Sequence, residues 1–160
     1  MKTLYLEPPS PAMTVEVRPA GPADHATLWP MLQELHRHEG VVPGPAQSAA
    51  LRRLLAEPAF GRVLLARGGG QALGYAAVVR GYSIEFGGPD AFLDELFVAE
   101  AARSKGVGGR LLDAAEAYCR GEGIVALHLE VGDGNPRARD LYARRGFAAH
   151  DRRLMTLRIG

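Results

Sequence analysis

The chain has 160 residues, enough for one domain whose core needs no disulfide or metal to hold it. Hydrophobic residues make up 47% and charged residues 23%, and 19 Lys plus Arg against 18 Asp plus Glu leave a net charge of +1, which excludes a generally basic nucleic-acid binder and a generally acidic solvating chain. The average hides an uneven layout: residues 91–133 carry four bases against eight acids, and residues 134–160 carry seven arginines against Asp140 and Asp151.

Residues 1–13 read as a loose extension or a misplaced start. The apolar stretch Leu4 to Leu6 is far too short for a signal peptide, and Pro8, Pro9 and Pro11 precede a second methionine, Met13. Residues 14–160 read as a single domain. Val15 to Arg18 is a short alternating strand. Pro22, Ala23 and Asp24 resemble a helix start, and Leu28, Leu32 and Leu35 carry helical spacing to about Glu39. Pro30 inside this stretch predicts a late start or a kink. After the breakers Gly40 to Pro45, a short helix is expected over Ala49 to Glu57. Two strands follow, Arg62 to Arg67 and Ala72 to Gly81, joined by a hairpin at Gly68 to Gln71. Tyr82 to Pro89 reads as a loop, and Ala91 to Val98 as a strong strand.

A long helix is expected from about Gly106 to Gly121, then a strand from Ile124 to Val131. Asn135 is placed to cap a further helix with Pro136 at its first position, ending at Gly146. Phe147 to His150 and Arg153 to Ile159 read as final strands. The order is that of an α/β or α+β protein with a mixed sheet. No apolar run approaches the ~18 residues of a membrane span. The lone Cys119 excludes an intramolecular disulfide, and its two readings are a nucleophile and a small buried hydrophobe. A cytoplasmic location is the expectation.

The clearest chemistry lies after the strand ending Leu96-Phe97-Val98. The loop Arg103-Ser104-Lys105 leads into a helix that begins on Gly106-Val107-Gly108-Gly109. Glycines admit close approach of a ligand to backbone, and first-turn N–H groups with the helix dipole favour an anion. Arg103, Lys105 and Arg110 add cations. The segment therefore reads as a pyrophosphate cradle, or as a helix cap with glycines for close packing. It is neither a P-loop nor a dinucleotide fingerprint, because both glycine orders are missing.

Two segments together resemble the GNAT family of acetyl-CoA-dependent N-acetyltransferases. The family's [RQ]-x-x-G-x-[GA] motif matches Arg103, Gly106 and Gly108. Its later N-x-x-A-x-x-[LF]-Y-x-x-x-G-F motif matches Asn135, Ala138, Leu141, Tyr142, Gly146 and Phe147. The resemblance covers roughly 14–159. It implies a mixed, mostly antiparallel sheet splayed in the middle and flanked by about four helices. It also implies acetyl transfer from acetyl-CoA to a primary amine, and homodimers are common among related enzymes. Glu34 to Glu39, Gly81-Tyr82-Ser83 and Phe92 to Val98 resemble the diamine and polyamine branch, with Asp94-Glu95 where that branch has Glu-Asp.

By that resemblance the backbone at Leu96, Phe97 and Val98 holds the cofactor's pantetheine arm. The loop from Arg103 through Ser104, Lys105, Gly106, Val107, Gly108 and Gly109 holds the pyrophosphate, and Asn135 caps a helix that brings Tyr142 to the cofactor. Tyr142 is the candidate general acid for the leaving thiolate, or else an aromatic packed beneath the cofactor. Asp94 and Glu95 are candidate acceptors of the amine's proton. Strand alternation allows at most one of them to face the centre, and the family resemblance favours Asp94. Glu39 and Tyr82 are candidates for holding the amine. No metal is expected, because His36 and His38 lie on different helix faces and His25 and His128 add no ligand spacing. Arg137, Arg139, Arg144 and Arg145 either flank phosphates or form a solvated helix face. The readings for function are an acetyltransferase on a small amine, one on a protein N-terminus or lysine, and a non-catalytic acetyl-CoA sensor.

Overall fold

The computed structural model describes residues 14–159. They fall into two compact units, one ending at Leu129 and one beginning at Glu130. The expected extension at 1–13 lies outside the described residues.

The first unit is built on a five-stranded sheet in the order β1 (Glu16–Pro19), β2 (Gly61–Gly68), β3 (Gln71–Ser83), β4 (Gly88–Val98) and β5 (Ala126–Leu129). The first four strands pair antiparallel and β5 joins β4 in parallel. A parallel neighbour needs a crossover, and helix α3 (Val107–Gly121) supplies it. The β2–β3 turn uses Gly69 and Gly70 at φ +56° and +76°, the left-handed pair that suits a tight hairpin.

Helices cover both faces. Leu28 and Leu32 of α1 (His25–His38) and Leu51 and Leu55 of α2 (Pro45–Ala56) pack against Val63, Leu65, Tyr75, Ala77 and Phe97. The intervening residues Leu64, Ala66, Ala76 and Val78 are also buried, and α3 packs against β2, β3 and β4 with Leu111, Leu112 and Ala115. Burial on both faces explains why Val63 to Ala66 is a continuous apolar run rather than an alternating one.

Several boundaries differ from expectation for local reasons. Pro30 neither delays nor ends α1, because a 3-10 turn at Pro22–Asp24 leads into a helix already begun at His25. Helix α2 begins four residues earlier than expected. Pro45 fits the first helical position, and the Gln47 side chain accepts from the Gly44 amide at 2.9 Å. β4 begins at Gly88, so the expected loop over Tyr82 to Pro89 shrinks to a turn closed by Gly87 at φ +77°.

The second unit contains α4 (Pro136–Arg144), whose cap is the expected one: Asn135 Oδ1 accepts from the Ala138 amide at 3.0 Å. The two final strands are not formed. No ladder among the described residues includes 147–159, and Leu154, Met155, Leu157 and Ile159 are exposed. Alternating apolar residues make a strand only where a neighbour takes up their backbone hydrogen bonds.

Candidate active site

The β3–β4 ladder carries one irregularity. Glu95 pairs with Ala77 and Leu93 pairs with Val78, so Asp94 is an extra residue, a β-bulge. A bulge breaks the two-residue alternation. Asp94 and Glu95 therefore both line one cavity of about 450 Å³, together with His36 of α1. The expectation that only one carboxylate faces this space is corrected here, and the inserted residue is the cause.

The two acids differ in setting. Glu95 is largely enclosed and held at both oxygens. Tyr75 Oη donates to Oε2 at 2.7 Å, and His36 Nε2 lies 2.5 Å from Oε1. With Glu95 as acceptor, the His36 proton sits on Nε2. His36 Nδ1 is buried without a hydrogen-bond partner among the described residues. Tyr75 remains a neutral donor, because burial first, and the Glu95 charge next, push its phenol well above the usual range. Asp94 opens towards solvent at the cavity edge. Desolvation by the surrounding protein, then the Glu95 charge, raise its pKa above 3.8. Glu39, exposed at the C-terminal cap of α1, also raises it, while His36 opposes the rise.

The remaining lining is apolar: Leu32, Leu51 and Leu54 from the two helices, and Ala77 and Val79 from β3. Gln47, Arg53 and Phe60 stand at its α2 side, with the Arg53 guanidinium 4.7 Å from the Phe60 ring centroid and Nε 2.9 Å from Glu57. Tyr82 does not line this cavity. It is exposed near the far end of β3, paired with Pro89, and each strand residue from Ala77 onwards adds roughly 3.4 Å.

Beside the carboxylates, the β4 edge is open. β5 pairs only with Asp90 to Leu93, whereas β4 continues to Val98. The Ala99 amide donates to Leu73 O at 2.9 Å, which fixes the alternation of the ladder. The amides of Leu96 and Val98 then point away from β3, while those of Glu95 and Phe97 point towards it. This narrows the expected backbone donors to Leu96 and Val98. Val98 O accepts from Arg103 Nε at 3.0 Å, so Arg103 ties the loop back to the strand.

The loop itself runs through Ser104 at φ +64° and Gly106 at φ +79° before α3 begins at Val107. Gly106 is the helix N-cap, no side chain caps it, and a Cβ built there meets nothing within 4 Å. The Val107 and Gly108 amides head the helix dipole, and Lys105 is exposed beside them. Arg110 lies along a groove with Val17 of β1 and Val15 just before that strand, on the flank of α3.

In the second unit, Tyr142 is half-buried and lies edge-on to Phe147 at 5.7 Å between ring centroids. Burial raises its phenol above 10. Arg137, Arg139 and Arg144 are exposed, with Arg139 3.7 Å from Asp133. Cys119 is buried and burial raises its thiol, which supports the core reading over the nucleophile.

Tyr75 escaped the sequence reading, and His36 was weighed there only as a metal ligand and within the Glu34 to Glu39 resemblance. A signal existed for His36: it continues the inward stripe Leu28, Leu32 by one further turn. Among the described residues no group of three or more His, Cys, Asp or Glu could hold a metal ion, and no helix is long and apolar enough to cross a membrane.

Comparison with known proteins adds the family. Residues 29–147 match the model of the acetyltransferase (GNAT) family. The uncharacterized N-acetyltransferase YhfO of Bacillus subtilis (strain 168) is 31% identical over 136 residues, 83% of this chain and 89% of that protein. An integron cassette protein from the mobile metagenome of Cole Harbour Salt Marsh superposes with a TM-score of 0.80 at 31% identity, over 90% of both chains. The aminoglycoside N-acetyltransferase AAC(6')-Iy, solved with CoA, gives a TM-score of 0.79 over 96% of this chain and 99% of that one; at 18% identity it shows the fold alone. With the family model matched from residue 29 to residue 147, the chain belongs to the GNAT family and is an acetyl-CoA-dependent acetyltransferase.

Proposed function

We propose that the enzyme moves an acetyl group from acetyl-CoA to the primary amine of a small molecule by direct attack, with both substrates bound at once. The observation that carries this reading is the bulge at Asp94. It sets two carboxylates on one cavity, beside the stretch of β4 that β5 leaves unpaired. An amine arrives protonated, with an ordinary pKa near 10, and must lose a proton before it attacks. Asp94, more basic than an ordinary aspartate, takes that proton directly or through water. Glu95, held by Tyr75 and His36, sets a second carboxylate beside it that draws the ammonium in.

The residues present fit acetyl-CoA as the donor. The Leu96 and Val98 amides offer a strand edge to the pantetheine arm, and one of them faces the charge that develops on the thioester oxygen. The open cap at Gly106, the Val107 and Gly108 amides and the Lys105 ammonium suit the pyrophosphate. Tyr142 is assigned the proton that the departing thiolate needs. Polyamine-like and amino-acid-like acceptors both present the required amine. A homodimer remains part of this reading by family resemblance.

The test is initial-rate release of free CoA over a panel of amines, amino acids and peptides. At least one small amine should raise release above the amine-free rate, and Asp94→Asn should lower kcat/KM for it by about a hundredfold. Acetyl-CoA should still raise the Tm of that variant. An unchanged rate in Asp94→Asn removes Asp94 as the base. Acetyl-CoA binding without release from any amine favours the sensor reading.

A further inference from the structure

The cavity's charges are confined to its ends, and this bears on which amine it accepts; the inference rests on the acetyl-transfer reading above. At one end stand Asp94 and Glu95. Between the ends, Leu32, Leu51, Leu54, Ala77 and Val79 form the walls, and none carries a polar side-chain atom. At the α2 side the charged lining residue is Arg53, which has the same sign as an ammonium. Its nearest carboxylate, Glu57, already pairs with it and does not line the cavity. A volume of about 450 Å³ suits a small organic molecule.

We propose that the acceptor is a monoamine with an apolar alkyl or aralkyl body, and that the enzyme discriminates against diamines and polyamines. The amine end meets the carboxylates and the carbon body replaces water along the aliphatic walls. A second ammonium on the same chain would give up its hydration against those walls and approach Arg53, with no carboxylate beyond Asp94 and Glu95 among the lining residues. The Phe60 ring, 43% exposed at the α2 side, adds apolar surface for an aralkyl body. The polyamine branch that Asp94-Glu95 resembles in sequence is therefore set aside as the source of the acceptor.

The experiment is CoA release by the full chain over hexylamine, phenethylamine, hexamethylenediamine, spermidine and Nα-acetyl-lysine amide. The kcat/KM for hexylamine should exceed that for hexamethylenediamine at least about tenfold, and phenethylamine should side with hexylamine. Ala50→Asp places a carboxylate on the wall at an exposed α2 position, so folding is not at stake. It should narrow the hexylamine-to-hexamethylenediamine ratio by improving the diamine. Diamine or spermidine use equal to or above that of hexylamine overturns the inference and leaves acetyl transfer standing. So does a preference for the blocked lysine, which would point to protein side chains. An Ala50→Asp variant with an unaltered ratio overturns it as well. No release from any amine overturns the acetyl-transfer reading and this inference with it.

Discussion

Tyr75 and Glu95 meet across the β3–β4 ladder, where the buried Tyr75 hydroxyl donates to Glu95 Oε2 at 2.7 Å. The pair is diagonal, since Glu95 stands opposite Ala77 and Tyr75 opposite Phe97. Tyr75→Phe keeps the ring and removes the donor to a carboxylate. Denaturant unfolding should show a loss of about 1.5–3 kcal/mol, and turnover should fall because Glu95 loses one of its two anchors. Unchanged stability and turnover would show that the bond does not position Glu95.

His36 anchors the other Glu95 oxygen from α1. Gln at this position retains a donor of similar reach, and Ala does not. CoA release by His36→Gln should stay within a few-fold of the parent, while His36→Ala should lose about tenfold or more. Equal loss in both variants would mean that the imidazole itself takes part in proton transfer.

Tyr142→Phe tests the leaving-group role. Removal of a general acid typically costs 10²–10⁴-fold in rate, so kcat should fall by about a hundredfold with little change in KM for acetyl-CoA. A rise in KM at constant kcat would assign Tyr142 to packing beneath the cofactor.

Asp24 gives the fold an acid-sensitive contact. Arg18 donates to both its oxygens, at 2.6 and 2.9 Å, and the Gly21 amide donates to Oδ2. The Arg18 hydrogen bonds, opposed by desolvation and helped by the Gly21 amide, lower its pKa from 3.8 to about 2. A depressed carboxyl stabilises the fold above its unfolded pKa and loses that contribution as pH falls through the folded value. Because Arg18 is partly exposed, the contribution is on the order of 1 kcal/mol. Asp24→Asn should be less stable by that amount at neutral pH, and the gap should close between about pH 4 and pH 2. A gap that persists below that window would mean packing, not charge, is responsible.

Two glycines should respond in opposite directions to Ala. A Cβ at Gly74 would stand 2.3 Å from Phe97 O on the neighbouring strand, so the β3–β4 ladder must open to admit it. A Cβ at Gly121, the last residue of α3, meets nothing within 4 Å. Gly74→Ala should cost about 2 kcal/mol or more, whereas Gly121→Ala should be neutral or stabilise by up to about 1 kcal/mol. Thermal melts of both variants check the contrast.

Most elements were legible because their signals are local. Gly69-Gly70 announces a hairpin, Asn135-Pro136 announces a capped helix, and Gly121 with Gly123 closes α3. The strands expected over 147–159 failed because their signal was only half local: the residue types were present, and the ladder was not. Helix α1 runs through Pro30 because its inward stripe, Leu28 and Leu32, is held by the sheet and α2, and packing outweighs the missing bond.

The sequence by itself determined the family, through two motifs whose glycines, Asn135 and Tyr142 are tied to short-range backbone geometry. It also named both carboxylates that line the cavity. What only the tertiary structure decided is how those carboxylates stand. Periodicity counts one residue per step, and a bulge inserts a residue that no count along a single strand reveals, because it is defined by the partner strand. The anchors of Glu95 come from 59 residues away on α1 and 20 residues away on β3, contacts that exist only once the helix is laid on the sheet. The same closure gathered apolar side chains of α1, α2 and β3 into the cavity that the acids and Arg53 line.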